Sequence, residues 1–171
     1  MVILRPTQKL RNLLPTTNAE ALASETALGD WYVNRMVVDR RPLLLFVSSI
    51  ALLPLLVPAR DVRSIPDRLP ELVGAALRRL RIAPHLIAAE LAAMMPVATA
   101  PTRDRSVLGV LVDTAKSVPF HLDVGLWDET TLPFVEAKLA RTPWRCSGRA
   151  ENVVFPDQAT PRLLEEKWGA R

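Results

Sequence analysis

Trp31-Tyr-Val-Asn-Arg-Met-Val-Val-Asp-Arg-Arg-Pro-Leu-Leu-Leu-Phe-Val-Ser-Ser-Ile-Ala-Leu-Leu-Pro-Leu-Leu-Val-Pro58 is the stretch that decides the fold. Residues 31–39 are rich in β-branched and aromatic side chains, and Leu43–Val47 is a fully apolar run. The charged pair Arg40-Arg41 and then Pro42 separate them, which predicts a β-hairpin joined near Arg40-Arg41. Ser48–Leu52 reads as a connection and Leu53–Pro58 as a third strand, so residues 31–58 are expected to form a meander. Pro54 lacks an N–H, which places the third strand at a sheet edge or starts it after the proline. Residues 42–59 carry no charge and approach the ~20 residues of a membrane span. Pro54, the Ser48-Ser49 pair and arginines on both flanks (Arg40, Arg41, Arg60) argue for two buried strands instead, with no membrane partner.

Outward from the meander the period changes. Upstream, residues 2–5 read as a short strand, Thr7 caps a short helix reaching Leu14, Ala19–Ala23 suits a turn of helix, and Gly29-Asp30 makes a turn. Downstream, Leu69, Leu72, Val73, Ala76, Leu77 and Leu80 form one apolar stripe of a helix. Pro84 suits the first position of the next helix, which buries Leu86, Ile87, Leu91 and Met94. Val97–Ala100 is a short strand. Ser106 caps a helix running to Ser117, with Val107, Leu108, Leu111 and Ala115 inward. Asp128, Thr130 or Thr131 caps another helix that ends before Pro143. Val153–Phe155 is a last strand, and Thr160-Pro161 opens a final helix that Gly169 ends. Strands first and helices later indicate an α+β class. The expected fold is a single domain over 1–171, a small, mostly antiparallel sheet packed with about five helices.

Composition narrows the function classes. At 171 residues, 49% hydrophobic and 23% charged, the chain can bury a core without a disulfide or metal staple. Cys146 is the only cysteine, and His85 and His121 are the only histidines, too few for a Cys/His zinc site. No metal is expected. Six glycines, at 29, 74, 109, 125, 148 and 169, are too scattered for a phosphate-cradling loop, and no cofactor is expected. The start, Met1-Val-Ile-Leu-Arg-Pro, shows no signal-peptide pattern, so a cytoplasmic location is expected. A net charge of +4 points weakly to anionic partners.

Four constellations offer chemistry. His121-Leu-Asp123 pairs a candidate base with a carboxylate, but no nucleophile motif accompanies it, and a solvated loop histidine is the plainer account. Cys146 lies next to Arg145 and three residues from Arg149, cations that lower a thiol pKa and make it reactive. Arg35, Arg40, Arg41, Arg60 and Arg63 cluster around the hairpin, with Arg40 and Arg41 expected in water beside Trp31 or Tyr32. Such interleaving grips single-stranded nucleic acid, and edge-strand protection is the competing account. Ser106 and Gly109 mark a helix start that packs closely on a neighbouring backbone. Alternatively that start receives an anion, with Arg103 and Arg105 beside it.

The motifs Leu28-Gly-Asp-Trp-Tyr-Val-Asn34, Asp39-Arg-Arg-Pro-Leu-Leu-Leu-Phe46, Leu56-Val-Pro58 and Arg105-Ser-Val-Leu-Gly109, with Asp113 after it, resemble a family of small uncharacterised bacterial proteins. The same pattern occurs in proteins related to a plasmid open reading frame associated with mobile elements. The resemblance continues faintly at Pro156 to Leu164. It departs at Ser48-Ser49-Ile50-Ala51, where the family has a polar segment with Asn or Asp. It departs again at Leu111-Val112, where Met-Asn is frequent. The resemblance implies a common fold and no activity.

A non-enzymatic binding or interaction domain is therefore the leading expectation, with its partner unassigned, a protein being one candidate, and its oligomeric state open. A nucleic-acid-binding accessory protein of a mobile element comes second. A hydrolase or transferase using His121 and Asp123 comes third.

Overall fold

The computed structural model describes residues 1–15, 17 and 22–169. The turn of helix expected at Ala19–Ala23 falls largely outside them. The meander forms as the sequence predicts: β2 (Trp31–Val38), β3 (Arg41–Ser48) and β4 (Pro54–Pro58) pair antiparallel in succession. The turn between β2 and β3 is Asp39-Arg40, both left-handed at φ 51° and 61°. That geometry matches the twist of a two-residue hairpin. β4 opens on Pro54 and occupies a sheet edge, where the missing N–H costs no ladder bond.

The sheet is mixed, which corrects the expectation of a mostly antiparallel one. Its order is β4-β3-β2-β1-β5, and β1 (Val2–Pro6) runs parallel to both β2 and β5 (Val97–Thr99). Parallel neighbours need a crossover of about a dozen residues or more, and residues 7–30 and 59–96 supply two such connections. The second connection contains α2 (Ile65–Arg79) and α3 (Pro84–Met94). At about 1.5 Å per residue α2 is about 22 Å long, and four strand spacings of ~4.8 Å make the sheet about 19 Å across. One helix thus reaches both edge strands, touching β4 and β5. α4 (Arg105–Ser117) lies on β2 and β3, and α5 (Leu132–Arg141) flanks β4. α6 (Pro156–Trp168) packs on α3 and α5. α1 (Gln8–Arg11) is a single turn, and β6 (Trp144–Arg145) with β7 (Val153–Val154) makes a separate small hairpin. No helix among the described residues is long and apolar enough to cross a membrane.

Two helix starts differ from the sequence reading. α6 begins at Pro156, not at Thr160-Pro161. Either proline is compatible with a first helical position, and Pro161 is carried inside the helix. α4 is capped by Asp104, whose carboxylate accepts from the N–H groups of Ser106 (2.9 Å) and Val107 (3.3 Å). Ser106 is already helical, and its hydroxyl meets that of Ser147 at 2.9 Å.

Gly109 does not mark a close approach: a Cβ placed there meets nothing within 4 Å. The glycine is solvent-facing and carries only its backbone-entropy cost. Gly109→Ala is therefore expected to stabilise the chain by up to about 1 kcal/mol. A thermal melt showing a lower Tm for this variant would restore the packing account. Gly29 is the glycine that needs its missing side chain. It sits at φ +79°, and a Cβ would lie 2.3 Å from Ser49 Oγ. Ser49 in turn accepts the Asp30 N–H at 2.8 Å, and Ser48 Oγ accepts the Leu53 N–H at 3.0 Å. The two serines thus satisfy backbone donors around this connection.

Both sheet edges are closed by side chains. On β5, Thr17 Oγ1 accepts from Thr99 N (2.6 Å) and donates to Thr99 O (3.0 Å). On β4, the buried Glu136 of α5 accepts the Leu56 N–H at 2.7 Å and Arg79 at 2.6 Å. Burial pushes the Glu136 carboxyl up, and the Leu56 N–H and the Arg79 guanidinium only partly oppose it. A carboxyl raised in the folded state stabilises fully below its ordinary value of 4.5, and that contribution is lost as pH rises through the raised value. The Tm of the wild type relative to Glu136→Gln is expected to rise as pH falls from neutral toward that ordinary value. Melts of both proteins across this range check it, and a Tm gap independent of pH would remove the argument.

Candidate interaction surface

The segment from Val118 to Val135 alternates between anchoring and display. Val118, Leu122, Trp127, Leu132 and Val135 are buried. Between them Phe120 is 88% exposed, Val124 79%, Leu126 85% and Phe134 71%. A lone exposed apolar side chain is ordinary, whereas four large ones on one short segment make it the candidate contact site. The 3-10 turn Val118–His121 packs on α5, so the elements carrying Phe120 and Phe134 touch.

The hairpin turn holds this segment in place. Asp39 Oδ2 accepts the Gly125 N–H at 2.9 Å and the Trp127 indole N–H at 2.7 Å. Arg41 donates to the Trp127 carbonyl at 2.8 Å, and its guanidinium lies over the indole at 4.7 Å from the ring centre. Val124 and Leu126 therefore flank a backbone group pinned by a carboxylate. Asp128 caps the following turn through Thr130 and Thr131. The side chains on display are thus carried on an ordered backbone, which lowers the entropy cost of binding. Beside the stacked pair lies an open recess of about 320 Å³, lined by Pro42, Leu43, Pro58 and Ala59 and bordered by the exposed Arg60–Glu129 ion pair.

The residues singled out from sequence divide clearly. Arg40, Arg41, His121 and Asp123 are brought to this one end of the molecule, although 80 residues separate the two pairs. Arg41 is engaged with Trp127, while Arg40 projects from the turn. Contrary to the expectation, Arg40 and Arg41 are not beside Trp31 or Tyr32, because those aromatics begin β2 and are buried at its other end, about 23 Å away along the strand. His121 is half-buried and Asp123 exposed, and no hydrogen bond joins them among the described residues. Arg35 is exposed on β2, and Arg103 and Arg105 are exposed beside Asp104. The positive end of α4 that they flank is already occupied by the Asp104 carboxylate. Among the described residues no three His, Cys, Asp or Glu side chains are grouped to hold a metal ion.

Cys146 is a correction. Its thiol is buried and its pKa is raised, because loss of water outweighs the attraction of Arg149, and Asp104 adds to the rise. Arg149 is occupied with the carbonyls of Ser49 and Ile50. The cations therefore do not make this a reactive thiol.

A family model, described as Domain of unknown function (DUF6933), matches residues 3–159. The chain belongs to the DUF6933 family. The matched span of this DUF6933 domain takes in the five-stranded sheet, the hairpin turn and the whole displayed segment, and ends within α6. No curated protein and no solved structure matches the chain. The four displayed side chains of the DUF6933 domain escape a sequence reading because their spacing follows a loop and two helix starts. The one signal available was the density of large apolar residues over 118–127, interrupted by His121 and Asp123.

Proposed function

We propose that the chain is a non-enzymatic interaction domain that binds a protein through Phe120, Val124, Leu126 and Phe134. The observation that carries this reading is the exposure of all four on one segment, with Val124 and Leu126 on a loop held by Asp39 and Arg41. Apolar anchors surrounded by polar groups are the usual energetic centre of a protein interface. The nucleic-acid reading draws less support, because Arg41 is committed to Trp127 and the remaining arginines are dispersed. The enzymatic reading lacks an oriented base at His121 and a nucleophile at Cys146.

A photoreactive amino acid at position 126 tests the proposal in cells that naturally make the protein. Irradiation is expected to give a discrete adduct of protein mass, absent when the same group is placed at Glu71 on α2 and lost when Phe134→Ser is added. Adducts that vanish on nuclease treatment, or equal labelling at positions 71 and 126, would reject it.

A further inference from the structure

We infer that the junction of α2 and α3 binds a small amphipathic anion, an aliphatic chain ending in a carboxylate, at a site separate from the Val118–Val135 segment. An open recess of about 360 Å³ lies where the two helices meet. Ile82, Pro84, Ile87, Ala88 and Leu91 line it with apolar surface, and Arg78 is the one charged side chain in its wall. Small-molecule sites share this composition, mostly apolar with a few polar groups that fix orientation, and have volumes of roughly 300–1,000 Å³.

Three observations select the chemistry of the ligand. The first is the placement of the guanidinium. A Cβ on Gly74 would lie 2.9 Å from Leu91 Cδ1 and 3.4 Å from Arg78 Nη1. The notch left by the glycine thus holds an apolar wall and a positive charge side by side. The second is that Arg78 is uncommitted. Its neighbour Arg79 is paired with Glu136, whereas no ion pair or side-chain hydrogen bond holds Arg78 among the described residues. No Asp or Glu occurs from residue 72 to residue 89. The other exposed charges nearby in the chain are Arg81, which adds to the positive side, and Glu71, seven residues before Arg78. α6, also packed on α3, approaches through Trp168 at Glu90, about 100° round the helix from Leu91, and contributes nothing to the recess wall. A guanidinium fork matches the two oxygens of a carboxylate. The third observation is that α3 is apolar around its circumference. Its only charged residue, Glu90, is buried, so its outward face shows Pro84, His85, Ala88 and Ala92. A surface helix ordinarily carries charge on that face. Ala88 belongs both to it and to the recess wall, so apolar surface continues from one to the other as a track for the aliphatic chain.

Methyl NMR of isoleucine-labelled protein, titrated with octanoate and decanoate below their aggregation concentrations, tests this. The isoleucines are Ile3, Ile50, Ile65, Ile82 and Ile87. The Ile82 and Ile87 methyls are expected to shift saturably, with a Kd on the order of 1 mM or tighter, while the other three stay in place. Decanoate should bind about 3–15-fold more tightly than octanoate, because it buries two more methylenes. Arg78→Gln should weaken octanoate about 3–10-fold and leave the binding of 1-octanol unchanged. Ala88→Trp, at an exposed position, fills the recess and should abolish binding of both with the Tm unchanged. Octylamine, with the same tail and the opposite head charge, should bind more weakly than octanoate. Octylamine binding as tightly as octanoate, an Arg78→Gln variant that holds octanoate as the wild type does, or shifts absent from Ile82 and Ile87 would overturn the proposal.

Discussion

Glu90→Ala is expected to destabilise the chain by about 3–6 kcal/mol, against a total of roughly 5–15 kcal/mol for a domain of this kind. Glu90 lies on α3 and is completely buried. Its carboxylate accepts the N–H groups of Ala27 at 2.8 Å and Leu28 at 3.1 Å, and the indole N–H of Trp168 at 2.7 Å. One side chain thus ties three elements together: α3, the strand-entry segment before β2, and the end of α6. Truncation leaves two buried donors and the half-buried Trp168 indole without an acceptor, each buried one costing about 1–3 kcal/mol, and leaves a cavity besides. Glu90→Gln keeps one carbonyl acceptor but points an amide N–H₂ at a donor, so an intermediate loss is expected. Urea denaturation of the two variants checks the order, and a loss below ~1 kcal/mol for Glu90→Ala would show that water replaces the carboxylate.

The second large effect is expected at Arg5. This arginine occupies a central parallel strand and is 2% exposed. It pairs through Nε with the buried Asp30, and through Nη1 it donates to the Pro101 carbonyl at 2.6 Å. Asp30 is itself held by Ser24 Oγ at 2.5 Å. Arg5→Met removes one charge and strands the other, which costs about 3–5 kcal/mol. The same desolvation argument makes the pair weak evidence of net stabilisation. Arg5→Met combined with Asp30→Asn leaves no unpaired charge and should be less destabilised than the sum of the single variants. Strict additivity in such a cycle would mean that the two side chains do not interact energetically. Arg5 Nη2 finds no partner among the described residues, so even the intact pair is not fully saturated.

The meander could be read from the chain because its information is local. Period-two runs, a charged two-residue break and Pro54 are each consequences of residues within a few positions of one another. Hence the hairpin turn at Asp39-Arg40 lies one residue from the expected join, and β4 falls at an edge. The helices over 65–79, 84–94, 105–117 and 132–141 were legible for the same reason, as apolar stripes bounded by prolines and caps. Boundaries failed where two residues were locally equivalent. Asp104 and Ser106 are both good caps, and Pro156 and Pro161 are both acceptable at a helix start.

The displayed surface was only half legible. Arg40, Arg41, His121 and Asp123 stand out as residue types, and they flank it. Phe120, Val124, Leu126 and Phe134 do not, because apolar side chains default to a buried reading in any sequence. The loop that carries Val124 and Leu126 is held by Asp39, some 86 residues away, accepting from Gly125 and Trp127. The buried charges were missed for the converse reason. Arg5, Glu90 and Glu136 default to the surface, and only partners 25, 63 and 80 residues distant justify their burial.

The sequence by itself determined the α+β class, the meander, the helix stripes and the membership of a family, since all are written in local pattern and composition. Tertiary structure alone decided that β1 enters the sheet parallel, that Arg5, Asp30, Glu90 and Glu136 lie inside and that Phe120, Val124, Leu126 and Phe134 lie outside. The physical reason is that hydrogen-bond partners and solvent exposure belong to pairs of residues brought together across the fold. No single segment carries the free energy that settles them.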